Sequence, residues 1–154
     1  MRNYLVLAIL LTFTLSDCEE TASSRIDLEA TDQEIHYIKS GGWINTAKLD
    51  IRSNGRVQAC HIAHASAEII DSASTVLTYA EKEKIVGLFR SFSNYARHYD
   101  PEHWYTDGEY YLIVRNTDEA ADTVSVYEPE NCNLPSGLEN IIEELEHLWH
   151  RLLD

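Results

Sequence analysis

The chain has 154 residues, with 26 acidic against 12 basic side chains and a formal net charge of −14 at neutral pH. That balance argues against nucleic acid and anionic lipid surfaces as partners, since both reward basic patches, and it suits a basic protein partner or simple solubility. The length is enough for one domain with a real core and not enough for two.

Residues 1–17 read as a signal peptide. Arg2 stands near the amine, and the apolar run from Tyr4 to Phe13 is too short to span a bilayer comfortably. Export is therefore expected. Leu15-Ser16-Asp17-Cys18 resembles the bacterial lipobox, in which a diacylglycerol is joined to the cysteine sulfur and the chain is cut just before it. Leu15 and Ser16 fit that pattern, while Asp17 stands where glycine, alanine or serine is usual. The resemblance implies a lipoprotein of the bacterial cell envelope, attached to the membrane through a lipid on Cys18 alone. The alternative is a secreted protein cleaved near Thr21-Ala22-Ser23-Ser24. Residues 18–32 are polar without an apolar period and read as a tether, whose reach as a flexible coil is roughly 20 Å.

Residues 33–154 then form the folded domain. Between Glu34 and Ala63 the chain reads as strand, glycine break, strand, tight turn, strand. Asn54-Gly55, set between Leu49/Ile51 and Val57/Ala59, predicts a two-residue hairpin turn with both central φ angles positive. Gly41-Gly42 interrupts the alternation of Ile35 and Tyr37, as expected where the backbone bends or lies close to another group. Ala65 to Leu77, rich in serine and alanine around Ile69-Ile70, is either a short strand or an irregular crossing.

Thr78 and Glu81 have the spacing of a capping box and predict a helix start. Ile85, Leu88, Phe89 and Phe92 make its apolar face, leaving Glu81, Lys82, Glu83, Lys84 and Arg90 to water. His98 to Gly108 breaks the period and is a loop dense in aromatic and ionisable groups. Tyr110 to Val114 and Thr123 to Tyr127 alternate as a second hairpin. Ser136 and Glu139 repeat the capping-box spacing, and Leu138, Ile141, Ile142, Leu145, Leu148, Trp149 and Leu152 form the stripe of a final helix. The order predicts an α+β fold, an antiparallel four- to five-stranded sheet with two helices packed on one face.

Of the three cysteines, lipidation of Cys18 leaves Cys60 and Cys132 in the domain, an even pair that invites a disulfide. Closing that loop would stabilise the fold by roughly 4 kcal/mol. Two separate thiols are the other possibility. Metal chemistry finds little support. His61-x-x-His64 and His147-x-x-His150 lack an evident third ligand, and Asp100, Glu102, Asp107 and Glu109 lack the spacing of a calcium loop. No Gly-x-Ser-x-Gly elbow and no catalytic cysteine context occurs, so the expectation is a non-enzymatic protein without cofactor.

Ser40-Gly41-Gly42, the Asn54-Gly55 hairpin, the helix opened by Thr78 and Glu81, Asp107-Gly108 before a strand, and the proline-led last helix together resemble emfourin. That family comprises small bacterial inhibitors of thermolysin-type metallopeptidases, and the layout is similar to that of uncharacterised bacterial lipoprotein domains. The resemblance covers about residues 34 to 153 and implies peptidase inhibition as the alternative to an envelope binding domain. A binding surface, for a protein or another envelope component, is expected at Gly41, Gly42 and Trp43 and at Trp104 and Tyr105. Large aromatics supply much of the energy at interfaces when they fill a pocket.

Overall fold

The computed structural model describes residues 33–41, 44–103 and 107–153. The signal peptide, Cys18 and the tether lie outside the described residues, as do Gly42, Trp43, Trp104 and Tyr105.

Alternating apolar residues build the sheet. Its strands are β1 (Gln33–Gly41), β2 (Thr46–Ile51), β3 (Arg56–Ile62), β4 (Ile69–Val76), β5 (His98–Tyr99), β6 (Glu109–Thr117) and β7 (Ala121–Tyr127). They lie in the order β4-β3-β2-β1-β6-β7-β5. Every neighbouring pair is antiparallel except β5 with β7. The fold is thus α+β with a seven-stranded mixed sheet, wider than the four or five antiparallel strands predicted. The additions sit at the two edges. One is the serine- and alanine-rich β4, and the other is the two-residue β5, held in part by the Ser125 N–H donating to the Arg97 carbonyl at 2.9 Å.

The hairpin between β2 and β3 differs from its predicted type. Only Gly55 has a positive φ, 79°. The Gly55 N–H donates to the Arg52 carbonyl and the Arg52 N–H to the Arg56 carbonyl, each at 2.8 Å. This is a three-residue loop closed by a glycine bulge. Asn54 contributes through its side chain, accepting from the Arg56 N–H at 3.0 Å.

Helix α1 (Tyr79–Leu88) opens with the expected capping box, since the Thr78 hydroxyl accepts from the Glu81 N–H and the Glu81 carboxylate accepts from the Thr78 N–H. A 3-10 segment, Phe89–Asn94, continues it and buries Phe89 and Phe92. Lys82, expected in water, is buried, with its stem over Gly55. Helix α2 (Ser136–Leu153) starts at Ser136 itself rather than after it, because the Pro135 carbonyl accepts the N–H groups of Leu138 and Glu139.

One face of the sheet and the helices share a single buried cluster. Ile35, Tyr37, Leu49, Ile51, Val57, Ala59, Tyr111, Ile113, Val124 and Val126 meet Ile85, Phe89 and Phe92, and Leu138, Ile141, Leu145 and Leu148. Burial of this apolar area is the main force holding the elements together.

The predicted Cys60–Cys132 disulfide is not formed, and both cysteines are free thiols. Cys60 sits on β3, whereas Cys132 follows β7 and donates its thiol to the Tyr127 carbonyl at 3.0 Å. Four strand spacings separate β3 from β7, roughly 19 Å, and a disulfide requires Cα atoms within about 7 Å. Among the described residues no helix is long and apolar enough to cross a membrane.

Candidate functional site

Antiparallel pairing brings the end of β1, the start of β2, the end of β3 and the start of β6 to one end of the sheet. The later turns of α2 cross the same end. Between them lies a cavity of about 410 Å³, lined by Tyr37, Lys39, Ile44, Asn45, Ala47, His61, Glu109, Glu146, Trp149 and His150.

Its polar side is a network centred on Lys39. The ammonium reaches Glu146 Oε1 at 2.7 Å and Glu109 Oε2 at 3.1 Å. Tyr111 donates from its hydroxyl to Glu109 Oε2 at 2.7 Å and to Glu146 Oε1 at 3.2 Å. Tyr37 approaches Glu146 more loosely, at 3.4 Å. Lys39 also lies over the Tyr111 ring, 5.0 Å from its centre, a favourable placement for a cation.

These contacts fix protonation. Burial would pull the Lys39 ammonium down, but hydrogen bonds and charge from Glu146 and Glu109 outweigh it and hold it above its ordinary range. Burial, then the charge of Glu146, push Tyr37 well up, and burial followed by the hydrogen bond to Glu109 does the same for Tyr111. Both phenols are therefore hydrogen-bond donors and Lys39 a fixed cation.

The other side is aromatic. Trp149 is locked by its indole N–H donating to the Cys60 carbonyl at 3.1 Å. Its ring meets His61 edge-on at 5.6 Å and His150 at 4.9 Å. One histidine from each His-x-x-His pair thus reaches the cavity, and its lining does not include His64 or His147. Among the described residues no group of three or more His, Cys, Asp or Glu side chains is arranged to hold a metal ion.

Glu109 also borders a second cavity of about 300 Å³, lined by Asp107, Gly108, Glu128, Pro129, Glu130 and Asn131. Asp107 and Glu109, two of the four acidic residues considered in the sequence for calcium, line it together with Glu128 and Glu130. The linings of the two cavities together hold five carboxylates and a single lysine, of which Glu109 and Glu146 pair with that lysine. Added to a chain of net charge −14, this is a site with negative potential and an aromatic wall.

Of the binding residues expected from the sequence, Gly41 ends β1, and Ile44 beyond it lines the cavity. The others lie outside the described residues. Sequence reading missed Tyr37, Lys39, Glu109, Tyr111 and Glu146 as a group. A signal was present, because Lys39 follows Ile35 and Tyr37 on the core-facing parity of β1, and Glu109 precedes Tyr111 and Ile113 on that of β6. Glu146 falls one turn after Ile142 on the apolar stripe of α2. A charge at a core position in each of three elements is a network waiting for partners.

No known family model matches the chain, and no curated protein matches it significantly.

Proposed function

We infer that the protein is a non-enzymatic binding domain of the bacterial cell envelope, held to the membrane by a lipid on Cys18, that captures a protein or envelope component through a positively charged group. The finer fold reading belongs with this: two helices on one face of an otherwise antiparallel sheet leave the cavity open at the sheet's end. The observation that carries the inference is the cavity itself. Its carboxylates exceed its lysine, its aromatic wall suits an ammonium or guanidinium, and its volume falls in the range of ligand pockets. Lys39 held as a cation and two phenols held as donors favour retaining a ligand over moving protons.

The test is calorimetric titration of the full chain with short lysine- or arginine-containing peptides and, in parallel, acidic ones. Basic peptides are expected to bind, more weakly as salt rises, and about tenfold more weakly to a variant carrying both Glu109→Gln and Glu146→Gln. Binding of acidic peptides alone, or no binding of either, would remove the inference.

A second reading, inhibition of a thermolysin-type metallopeptidase, is favoured by the position of the Ser40-Gly41 end of β1 beside the cavity. Stoichiometric inhibition by the full chain, weakened by Trp43→Ala, would establish it. Undiminished cleavage across several such peptidases would discard it.

A further inference from the structure

The floor of the Lys39 cavity is set by one small residue. Tyr111, Lys39, Ala47 and His61 stand in a row across β6, β1, β2 and β3, each the direct ladder partner of the next and so on the same face of the sheet. Adjacent strands lie roughly 4.8 Å apart, which puts Lys39 and His61 roughly 10 Å from each other with only the Ala47 methyl group between them. Trp149, held over β3 by its bond to the Cys60 carbonyl and in contact with the His61 ring, walls one end of this floor. Glu109 and Glu146 stand at the other end, around Lys39.

The network around Lys39 leaves acceptors over. Glu146 takes Lys39, Tyr37 and Tyr111 on Oε1 alone, and Glu109 takes Lys39 and Tyr111 on Oε2 alone. Among the described residues no group donates to Glu146 Oε2 or to Glu109 Oε1. Asn45 is their counterpart. Its Oδ1 accepts from the His64 N–H at 3.2 Å, and its Nδ2 has no acceptor among the described residues. The lining thus supplies two anionic acceptors at one end, an apolar floor and an aromatic wall at the other, and one neutral donor.

We propose that the positively charged group this cavity receives is the free α-ammonium of a peptide whose first side chain is apolar. The inference rests on the cation reading above and narrows it. The ammonium donates to Glu146 Oε2 and Glu109 Oε1, the first side chain lies over Ala47 against Trp149, and the first carbonyl accepts from Asn45 Nδ2. A chain end carries a charge, an apolar branch and an acceptor within a few bonds of one another, which is the pattern of the lining. A lysine or arginine side chain holds its charge at the tip of an unbranched stem and has no acceptor for Asn45. A free amino acid matches less well, because its carboxylate would join those of Glu109 and Glu146, and like charges oppose binding.

Calorimetric titration of the full chain with peptide amides tests this, and the changes are made on the ligand. Leu-Ala-Ala-Ala amide with a free amino terminus is expected to bind at least about tenfold more tightly than its N-acetylated form, than Gly-Ala-Ala-Ala amide, and than N-acetylated tetrapeptide amides carrying one lysine or arginine. Ala47→Val, which raises the floor, should remove most of the preference for leucine over glycine, and the ligand comparisons stand whether or not that variant folds. Acetylated lysine or arginine peptides that bind as tightly as the free-ended leucine peptide would overturn the chain-end proposal and leave the cation reading intact. Binding by none of the peptides removes both. A leucine peptide indifferent to acetylation, or free leucine bound as tightly as the peptide, also overturns the proposal.

Discussion

Asp50 shows how a single side chain can carry a pH dependence. It lies on the sheet face opposite the core cluster and is largely buried, with His36 Nδ1 at 2.6 Å and Lys48 Nζ at 2.9 Å. Burial alone would raise its carboxyl, but the hydrogen bonds from His36 and Lys48 outweigh that and hold it below its usual value of 3.8. A depressed carboxylate contributes stability above its unfolded value, and that contribution is lost as pH falls through the folded one. Asp50→Asn should therefore lower the thermal midpoint at neutral pH. In melts taken across pH, the gap between variant and parent should close below about 3.8. Not every residue-scale feature was readable beforehand. Asn54-Gly55 announced a turn, yet the Arg52 and Gly55 hydrogen bonds, not the dipeptide, set its type. At Gly108 an added Cβ would collide with the Glu128 carboxylate, a close approach made by a residue twenty positions away and invisible in any local pattern.

At the scale of elements, α1 depends on its first turn more than on its faces. It is ten residues long and buries only Lys82 and Ile85, so its start is set by the Thr78–Glu81 cap rather than by a wide apolar stripe. Thr78→Ala should cost about 1 kcal/mol in denaturant unfolding. Hydrogen bonds from Thr78, through side chain and then backbone, and from Arg151 hold Glu81 down at about 2 against an ordinary 4.5. The cap's contribution is thus complete above pH 4.5 and fades between 4.5 and 2, and the cost of Thr78→Ala should shrink over the same interval. Elements with strong periodicity were legible in the sequence, namely β1, β2, β3, the β6–β7 pair and α2, while α1 was legible from its capping box. The edge strands were not, for physical reasons. β4 owes its conformation to the ladder with β3, and its large apolar residues Ile69, Ile70 and Val76 do not alternate, while β5 is too short to have a period. The cavity was hidden for a related reason, since Lys39 and Glu146 meet across 107 positions and only the docking of α2 on the sheet brings them together.

For the whole molecule, one buried cluster and a continuous sheet do the work that a covalent link was expected to do. Cys60 and Cys132 are free and far apart, so reductant should leave the melting temperature unchanged, whereas loss of a disulfide closing such a loop would cost roughly 4 kcal/mol. Burial, then the negative charges of Asp100 and Glu128, push the Cys132 thiol up and disfavour its thiolate form. The sheet's two margins also differ in what they could offer a neighbouring strand: β5, two residues long, presents too few backbone groups to template continued pairing, so the sheet is not extended from that side into an open-ended ribbon.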